Sequence, residues 1–516
     1  MSAGGGEQER VVLAVDQGTG GPKVGFVSTT GRIVWARHTP VETRRTPDGG
    51  AVQDAEGWWS LIRHGAREAL RSGAVDPASV IAVSVTSQWG SVVPVGEDGR
   101  PVDDCVLWLD TRGAGHARAL IGGPLLGYHP RRVATWIRRT GGAPSPAGGD
   151  PISHMLFLQR DRPQVAAAAR WFLEPADYLT MRFCGRAAAS HASMIAAWLT
   201  DNRDLDRLAY DPGLVELAGV EPHRLAPLVR SVSVVGTVRD DVAADLGLPD
   251  GVPVVAGTPD LHGAAAGAGA LDEFAAHLAI STTSWISCPV PFKKTDPMRS
   301  IASVPGVGPG RYLIADNQDS AGACLQWLRD RVLGGTYEEL VALAAQAPPG
   351  SGGVIFAPWL AGERSPVSDR RARGGWHNVS VAATRAELAR SVLEGVACNA
   401  RWLLGGVERL AGRRLDPLRL IGGGAVSDLW CQIVADVLDR RIERVADPAL
   451  ATLRGAALLG AIGVGALEPR AVAGLVPVDA VFEPQAATRD AYARLADELP
   501  RLYGAQKRIF ARLNRG

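Results

Sequence analysis

Short apolar runs separated by polar and glycine-rich residues open the chain and predict strands. Residues 11–15 form one such run, residues 23–28 form a second, and Asp16-Gln17-Gly18-Thr19-Gly20-Gly21 lies between them. Two apolar runs joined by glycine-rich residues predict a β-hairpin. Residues 80–86 and 92–95 predict further strands, whereas residues 56–70 carry helical periodicity. The first half therefore predicts an α/β fold and excludes pure sandwiches and helix bundles.

A related pattern follows in the second half. Residues 252–256 predict a buried strand that leads into Gly257-Thr258-Pro259-Asp260 and the Gly/Ala-rich residues 263–270. Residues 277–287 predict another hairpin, with Thr282, Thr283 and Ser284 at its turn, and residues 387–404, 427–438 and 489–516 predict helices, the last of them amphipathic with a basic end. The two halves are expected to be structural repeats that touch along a shared cleft, because no low-complexity linker separates them.

These patterns divide the chain into three parts. Residues 1–10 are polar and glycine-rich, and we expect them to be disordered. Residues 11–269 are predicted to form an N-terminal domain and residues 270–516 a C-terminal domain.

Composition narrows the class of partner. The chain has 55 basic and 54 acidic side chains and a formal charge of +1, so no large field of one sign is available to hold a nucleic acid or an anionic membrane. Hydrophobic residues make up 46% of the chain and charged residues 21%, as in globular proteins. A small-molecule partner is therefore expected.

Cysteine usage and hydropathy predict a cytoplasmic protein. The six cysteines are scattered, without a CxxC pair or a nearby histidine at metal-ligand spacing, which is typical of reduced core thiols. The amino terminus has no apolar signal region, and the apolar residues 455–467 are too few to span a bilayer. The sequence leaves the oligomeric state open, with a homodimer as one option.

The turn after the first strand carries the first chemical signal. Gly18 and Gly20 permit a tight turn whose N–H groups can point at an anion, Thr19 adds a hydroxyl donor, and Asp16 can hold a hydrated Mg²⁺. Lys23 is one of only four lysines, so its place beside this turn is informative. The order of residues differs from a P-loop, and an ordinary hairpin turn remains the alternative.

A second glycine-rich turn follows the predicted strand at residues 418–421. Gly422, Gly423 and Gly424 precede Ala425, and a helix is predicted from Ser427. Backbone without side chains lets an adenine ring and its ribose approach closely, although a plain tight connection explains three glycines equally well.

With these two turns placed, residues 10–505 resemble the FGGY family of carbohydrate kinases, close to its xylulokinase branch. The resemblance is most specific at residues 388–397, at Ala372-Arg373-Gly374 and at Phe356-Ala357-Pro358-Trp359-Leu360-Ala361-Gly362-Glu363-Arg364-Ser365-Pro366. It implies two actin-like domains of the ribonuclease-H type flanking a cleft for ATP and sugar. It also implies phosphorylation of a primary hydroxyl of a sugar or polyol, with a pentulose expected, and a need for ATP and Mg²⁺.

The resemblance and the two turns together assign roles to individual residues. Asp260 is expected to be the catalytic base; Gly18, Thr19, Gly20, Lys23, Thr283, Gly423, Gly424, Ala425 and Asp428 to bind ATP; Gln88, Trp89, Trp108, Asp110 and Asp260 to bind the sugar; and Asp16 and Asp260 to hold the metal. A carboxylate can accept the hydroxyl proton as the bond to phosphorus forms. Taken without the resemblance, Asp260 is also a good helix N-cap.

Three departures from the family pattern bear on activity. Trp89 stands beside the position of a family histidine that hydrogen-bonds the sugar, which puts xylulose in doubt, and it can also be explained as core packing. Thr282 replaces a glycine of the phosphate loop, where we expect a negative φ, and Asn378 replaces another family glycine. A non-catalytic nucleotide- or sugar-binding protein on the same fold is the alternative function. A chaperone ATPase would need a further domain for which no residues remain.

Overall fold

The computed structural model describes residues 9–124, 128–297, 299, 301–308 and 310–514. The predicted disorder of residues 1–10 falls mostly outside the described residues. The described chain forms two compact units: the first comprises Met1–Leu271, Val304–Arg311 and Thr452–Leu475, and the second comprises Asp272–Ser303, Tyr312–Ala451 and Val476–Gly516, each taken over its described residues. Val304–Arg311 and Thr452–Leu475 thus belong to the first unit although they follow residue 270. A single boundary near residue 270 therefore does not separate the two units.

The strands are short. They are β1 Val11–Gly18, β2 Gly21–Ser28, β3 Ile33–His38, β4 Arg44–Arg45, β5 Ala51–Gln53, β6 Val80–Ser87, β7 Val93–Val95, β8 Cys105–Val106, β9 Trp171–Leu173, β10 Ala189–Ser190, β11 Leu228–Val229, β12 Val234–Thr237, β13 Pro253–Val255, β14 Thr258–Pro259, β15 Ala276–Ile280, β16 Ser284–Val290, β17 Thr295–Asp296, β18 Ile301–Pro305, β19 Tyr312–Gln318, β20 Ile355–Ala357, β21 Gly375–His377, β22 Leu418–Ile421, β23 Ile442–Val445 and β24 Val478–Phe482. Of these, β1, β2, β6, β7, β13, β15 and β16 lie at apolar runs that predicted strands.

The helices include those at the segments predicted from periodicity, together with others that the sequence did not single out. They are α1 Ala55–Arg71, α2 Ala114–Ile121, α3 Pro130–Thr140, α4 Pro151–Asp161, α5 Pro163–Ala168, α6 Pro175–Cys184, α7 His191–Met194, α8 Pro212–Ala218, α9 Asp240–Leu246, α10 Asp260–Gly267, α11 Gly322–Leu328, α12 Tyr337–Ala344, α13 Arg385–Ala411, α14 Asp428–Leu438, α15 Ala451–Gly463, α16 Val472–Leu475 and α17 Arg489–Leu513. Those at the predicted segments are α1, α13, α14 and α17.

The first sheet contains the predicted opening hairpin. Its order is β12-β13-β6-β1-β2-β3, and β14 also pairs with β6. β1 and β2 are antiparallel, with Gly18 opposite Gly21, whereas β6 is parallel to β1. β1 is almost entirely buried. Parallel strands buried on both faces read as continuous apolar runs, which is the pattern that residues 11–15 and 80–86 show.

The second sheet repeats this plan. Its order is β17-β18-β19-β16-β15-β22-β23-β24. β15, β16 and β19 form an antiparallel meander, β22 and β23 continue parallel to β15, and β24 is antiparallel. The run β19-β16-β15-β22-β23-β24 has the same order and directions as β3-β2-β1-β6-β13-β12 in the first sheet. This shared topology agrees with the predicted repeat and with two actin-like halves.

Capping residues set the ends of the long helices. α13 begins with a capping box in which Thr384 and Glu387 satisfy each other's backbone N–H groups, so the helix starts before the predicted residues 387–404 and also runs beyond them. Ser427 caps α14, so the helix begins one residue later than the predicted 427–438. One detail of the sequence prediction is wrong: Ser284 is the first residue of β16 rather than part of the turn.

The cysteines are unpaired, and five of the six are buried, whereas Cys184 is partly exposed. Burial raises the pKa of Cys288 to about 12, which keeps that thiol protonated and inert at neutral pH. Among the described helices, none combines the length and apolar character that crossing a bilayer requires.

Two helices of the first unit approach each other at backbone distance. A Cβ added to Gly455 of α15 would lie 1.7 Å from the carbonyl oxygen of Gly263 in α10 and 2.6 Å from the amide nitrogen of Gly267. Only glycine fits there, which explains the Gly/Ala-rich composition of both segments. α10 begins with Asp260, so this contact also fixes the position of that carboxylate.

We predict that Gly455→Ala destabilises the protein. The added methyl group must push α15 away from α10, and overpacking of this kind costs about 1–3 kcal/mol. Thermal unfolding followed by circular dichroism should show a lower Tm. Gly504→Ala is the matched control, because its Cβ would meet nothing within 4 Å and it lies exposed in α17. Equal Tm values for the two variants would contradict the proposed backbone contact.

Candidate functional site

The carboxyl ends of three neighbouring strands bring the candidate residues of the first unit together. β6 is parallel to both β1 and β14, with Thr86 opposite Asp16 and opposite Thr258. The Gln88 N–H donates to the Gln17 carbonyl at 2.8 Å just beyond these strands. Asp260 follows β14 directly. In α/β sheets, ligands bind at this edge.

An ion pair spans the opening hairpin. Lys23 lies opposite Asp16 in the antiparallel register, and its Nζ is 2.9 Å from Asp16 Oδ2. Asp16 is buried, while the Lys23 side chain keeps 27% of its exposure. The charge of Asp16 raises the pKa of Lys23 above its ordinary value, and Asp260 acts in the same direction. Lys23 therefore stays charged at neutral pH beside two carboxylates.

The tight turn between the two strands needs glycine at one position. Gly21 has a φ of 119°, and a Cβ there would lie 2.1 Å from the Thr39 carbonyl oxygen. A Cβ on Gly20 would meet nothing within 4 Å, so the space above that residue is open. A turn with open space on one side can accept a phosphate group.

The hydroxyl of Thr19 is engaged within the protein. It donates to Gln88 Oε1 at 2.7 Å and accepts from Trp108 Nε1 at 3.0 Å. Gln53 Nε2 donates to the Thr19 carbonyl at 2.8 Å. The sequence predicted this hydroxyl as a free donor to phosphate, but the structure directs its proton to Gln88. Within the described part of the chain, the buried Nε2 of Gln88 has no hydrogen-bond partner.

Asp260 is the first residue of α10 and does not cap that helix. The N-cap position belongs to Pro259, which makes no side-chain capping bond, so the N-cap interpretation of Asp260 is wrong. Burial, and next the negative charge of Asp16, raise the pKa of Asp260 to about 7, while Lys23 acts in the opposite direction. A carboxylate poised near neutral pH is suited to proton transfer.

A buried carboxylate supports the loop that carries Trp89. Glu174 is buried and accepts the N–H groups of Gly90 and Ser91, each at 3.2 Å. Burial, and next the charge of Asp177, raise the pKa of Glu174 well above its ordinary value. Trp89 is half-buried and its Nε1 donates to the Ser193 carbonyl at 2.7 Å, so core packing does not account for the whole side chain.

Asp110 is placed differently from the other sugar-side candidates. It is fully buried, and its oxygens accept from the guanidinium of Arg112 and from the Ala51 N–H at 2.9 Å. Through these hydrogen bonds, Asp110 links the segment that precedes α1 to the segment that precedes α2.

The donor set at Asp16 and Asp260 fits a hard divalent cation. Asp16 and Asp260 provide two carboxylate groups as oxygen ligands, and a cation would relieve the repulsion that the charge of Asp16 exerts on Asp260. Mg²⁺ keeps several waters and uses one or two carboxylates together with phosphates. Within the described residues no group of three or more His, Cys, Asp and Glu forms a closed metal cage.

The second unit has an equivalent strand edge at β15 and β22. Gly422 has a φ of 93°, and a Cβ there would lie 2.4 Å from the Ile280 carbonyl oxygen, so this position requires glycine. Gly423 is exposed, with open space where a Cβ would be. Gly424 has no such space, because its Cβ would meet Ile280 at 2.4 Å. Ala425 is buried.

Asp428 is paired with an arginine that the sequence did not single out. Its carboxylate is 78% exposed and accepts from Arg444, which lies on β23. The Arg444 Nε also donates to Asp479 at 2.8 Å. A guanidinium between two carboxylates beside the glycine turn offers a planar face to a base.

The turn that carries Thr282 and Thr283 is hydrogen-bonded to the start of α11. The Thr282 carbonyl accepts the N–H groups of Ala321 and Ala323 at 3.0 and 3.1 Å. Thr282 is exposed and is not among the described residues with a positive φ, as expected for a β-branched residue. Asn378, by contrast, has a φ of 58°, a conformation that asparagine tolerates.

Three residues of these sites had no role assigned from the sequence. Gln53 and Glu174 lie within residues 10–505, and the family resemblance over that range was the available signal. No local pattern marks Arg444, because its partnership with Asp428 depends on the pairing of β22 with β23.

Comparisons with known proteins agree over both units. The model of the N-terminal domain of the FGGY family of carbohydrate kinases matches residues 11–267, and the C-terminal model matches residues 283–464. A xylulose kinase of Staphylococcus epidermidis is 29% identical over 98% of this chain and 99% of its own length. A gluconokinase of Bacillus subtilis is 23% identical, covering 89% of this chain and 88% of its own.

Solved structures show the same fold. The gluconate kinase from Lactobacillus acidophilus superposes with a TM-score of 0.85 at 20% identity, covering 98% of this chain and all 100% of the other. The xylulose kinase from Rhodospirillum rubrum gives a TM-score of 0.82 at 25% identity, over 97% and 100% of the two chains.

We predict that Asp260→Asn raises thermal stability more at about pH 8 than at about pH 5. The pKa of Asp260 is raised from 3.8 to about 7, so the folded protein loses stability as pH rises through that interval. The amide removes this loss. Tm should be measured across the range, with Asp240→Asn as control, because Asp240 is also the first residue of a helix but lies exposed. A Tm gain independent of pH would contradict the raised pKa.

Proposed function

Because this chain belongs to the FGGY family of carbohydrate kinases, we propose that it transfers the γ-phosphoryl group of ATP to a primary hydroxyl of a pentulose or polyol. The observation that carries the proposal is the convergence of Asp16, Lys23 and Asp260 at one strand edge. Membership of the family makes the protein a phosphotransferase; the acceptor, its hydroxyl and the residue roles are what we propose.

Asp260 is proposed as the general base. Its carboxylate accepts the proton of the acceptor hydroxyl while the new O–P bond forms and the bond between the β- and γ-phosphates of ATP breaks, with the electron pair leaving on ADP. A pKa near the working pH balances the ionised fraction against proton affinity. Asp16 is needed for this balance, because its charge helps to raise the pKa of Asp260.

Residues of the opening hairpin are proposed to balance the negative charge of the phosphates. Lys23 supplies a compact positive charge, and the turn at Gly18 and Gly20 leaves room for a phosphate oxygen. Mg²⁺, when bound by Asp16 and Asp260, would supply electrostatic stabilisation of the transferring group. Thr19 is proposed to act through its backbone, because its hydroxyl already bonds Gln88.

The glycine turn of the second unit is proposed to hold adenosine. Gly423 gives open, exposed backbone, while the half-buried Gly424 and the buried Ala425 form the support beneath it. Asp428 and its partner Arg444 would lie beside the base, and Thr283 would contact the phosphates from the β15–β16 turn.

The sugar is proposed to contact Gln88, Trp89 and Trp108. The Gln88 Nε2 is a buried donor without a partner in the described chain, and a sugar hydroxyl would satisfy it. Relatives named xylulose kinase favour a pentulose, and the relative named gluconokinase makes a polyhydroxy acid the second acceptor to test. Asp110 is proposed only as a positioning residue, through Arg112.

A panel of acceptors tests the proposal. The protein is incubated with ATP, Mg²⁺ and xylulose, ribulose, xylitol, glycerol or gluconate, and ADP release is measured above the background without sugar. We expect the highest kcat/KM with a pentulose. Binding of ATP without ADP release for any acceptor would overturn the proposed activity and favour a non-catalytic binding protein, for which the reported relatives give no support.

We predict that Asp260→Asn removes most turnover and leaves nucleotide binding nearly intact. The amide keeps size and shape but cannot accept the proton, and loss of a general base costs about 10²–10⁴ in rate. Steady-state kcat and the Kd for ATP should be measured on the same preparation. Asp240→Asn again serves as control, and a near wild-type kcat for Asp260→Asn would exclude the assigned base.

We predict that Thr282→Gly keeps activity within about tenfold, a change of roughly 1.4 kcal/mol in the barrier. Thr282 is not at a positive φ, so the turn already has a conformation that threonine tolerates. Steady-state kinetics on the preferred acceptor measures the change. A native protein that stays inactive while Thr282→Gly gains robust phosphorylation would instead identify the threonine as disabling.

A further inference from the structure

The second unit contains a cavity of about 500 Å³ between α13 and α17. Its lining includes none of the residues proposed to bind ATP. Its volume lies within the range of about 300–1,000 Å³ typical of small-molecule sites. Side chains with a positive charge dominate its lining, which includes Arg299, Arg401, Arg409, Arg501, Trp402 and Gly405. Asp497 is the acidic side chain of the lining.

The four guanidinium groups are only partly neutralised. Arg299 pairs with Asp296 and Arg501 with Glu498, each at 2.7 Å, and both acids lie outside the lining. Arg401 donates to the Val437 carbonyl at 2.8 Å, a neutral acceptor. Among the residues that the structure describes, the guanidinium of Arg409 has no hydrogen-bond or ion-pair partner. The cavity therefore has an excess of positive charge, and some of its hydrogen-bond donors are available to a ligand.

Two residues that disfavour helices line this cavity. Gly405 lies within α13, and its Cβ would meet nothing within 4 Å, so no neighbour requires glycine there. Pro500 lies within α17, where proline cannot donate a helical hydrogen bond. Both residues line the cavity. The cavity therefore lies where α13 lacks a side chain and α17 lacks a backbone donor.

We propose that this cavity binds a phosphorylated small molecule that carries at least two negative charges. A guanidinium group can donate two parallel hydrogen bonds to a phosphate group. The lining contains few carboxylates that would repel the phosphate. The ring of Trp402 gives the organic part of such a molecule an aromatic face. This site would be additional to the ATP and sugar sites, and the inference does not depend on the kinase activity.

Isothermal titration calorimetry on the full chain tests the proposal, with pyrophosphate and ribose 5-phosphate as probes and succinate as a carboxylate dianion. We expect both phosphate probes to bind in the cavity with an affinity that falls as salt rises, and succinate to bind more weakly. Arg409→Gln should lower the affinity for the phosphate probes about tenfold, equivalent to 1.4 kcal/mol. Arg494→Gln, an exposed arginine of α17 outside the lining, should leave it unchanged.

Two further variants separate this site from the proposed phosphate site of the first unit. Gly405→Leu should block binding, because its side chain would start in space that is open at the Cβ position and extend into the cavity. Lys23→Ala should leave binding to the cavity intact. Loss of probe binding in Lys23→Ala, with full binding in Arg409→Gln and Gly405→Leu, would overturn the proposal and assign the anion to the hairpin turn. Absence of binding to the wild-type protein at millimolar probe would overturn it as well.

Discussion

The electrostatic coupling of Asp16, Lys23 and Asp260 is the interaction on which the rest of the first unit depends. Two carboxylates and one ammonium share the carboxyl edge of β1, β6 and β14, and each changes the proton affinity of another. The positive charge of Lys23 lowers the pKa of Asp260, but it cancels only part of the increase that burial and the charge of Asp16 cause. The pKa of Asp260 therefore remains near 7.

Keeping Asp260 in this position works against stability above neutral pH, so the surrounding packing must hold it. The backbone contact between Gly455 and Gly263 fixes the helix that begins with Asp260. Thr86 Oγ1 donates to the Thr258 carbonyl at 3.0 Å and ties β14 to β6. Proteins commonly hold functional groups in strained or repulsive positions through rigid packing elsewhere.

The second unit uses the same strand order with different residues at its strand edge. Where the first unit places charge at its strand edge, the second places bare backbone at Gly422 and Gly423 and one arginine between two acids. The proposed roles differ accordingly, with proton transfer and phosphate assigned to one half and the nucleoside to the other. Site chemistry follows from the side chains at the strand ends rather than from the fold.

Local elements and family membership are encoded in residues that are close together along the chain. Apolar runs predicted the strands of both hairpins, and helical periodicity predicted α13 and α14, although their capping residues Thr384 and Ser427 became clear only in the structure. Contacts between distant residues depend on the tertiary structure. It directed the Thr19 hydroxyl to Gln88, paired Arg444 with Asp428, and returned Thr452–Leu475 to the first unit. Each of these contacts arises from strand register or helix packing between segments far apart in sequence, which no local pattern encodes.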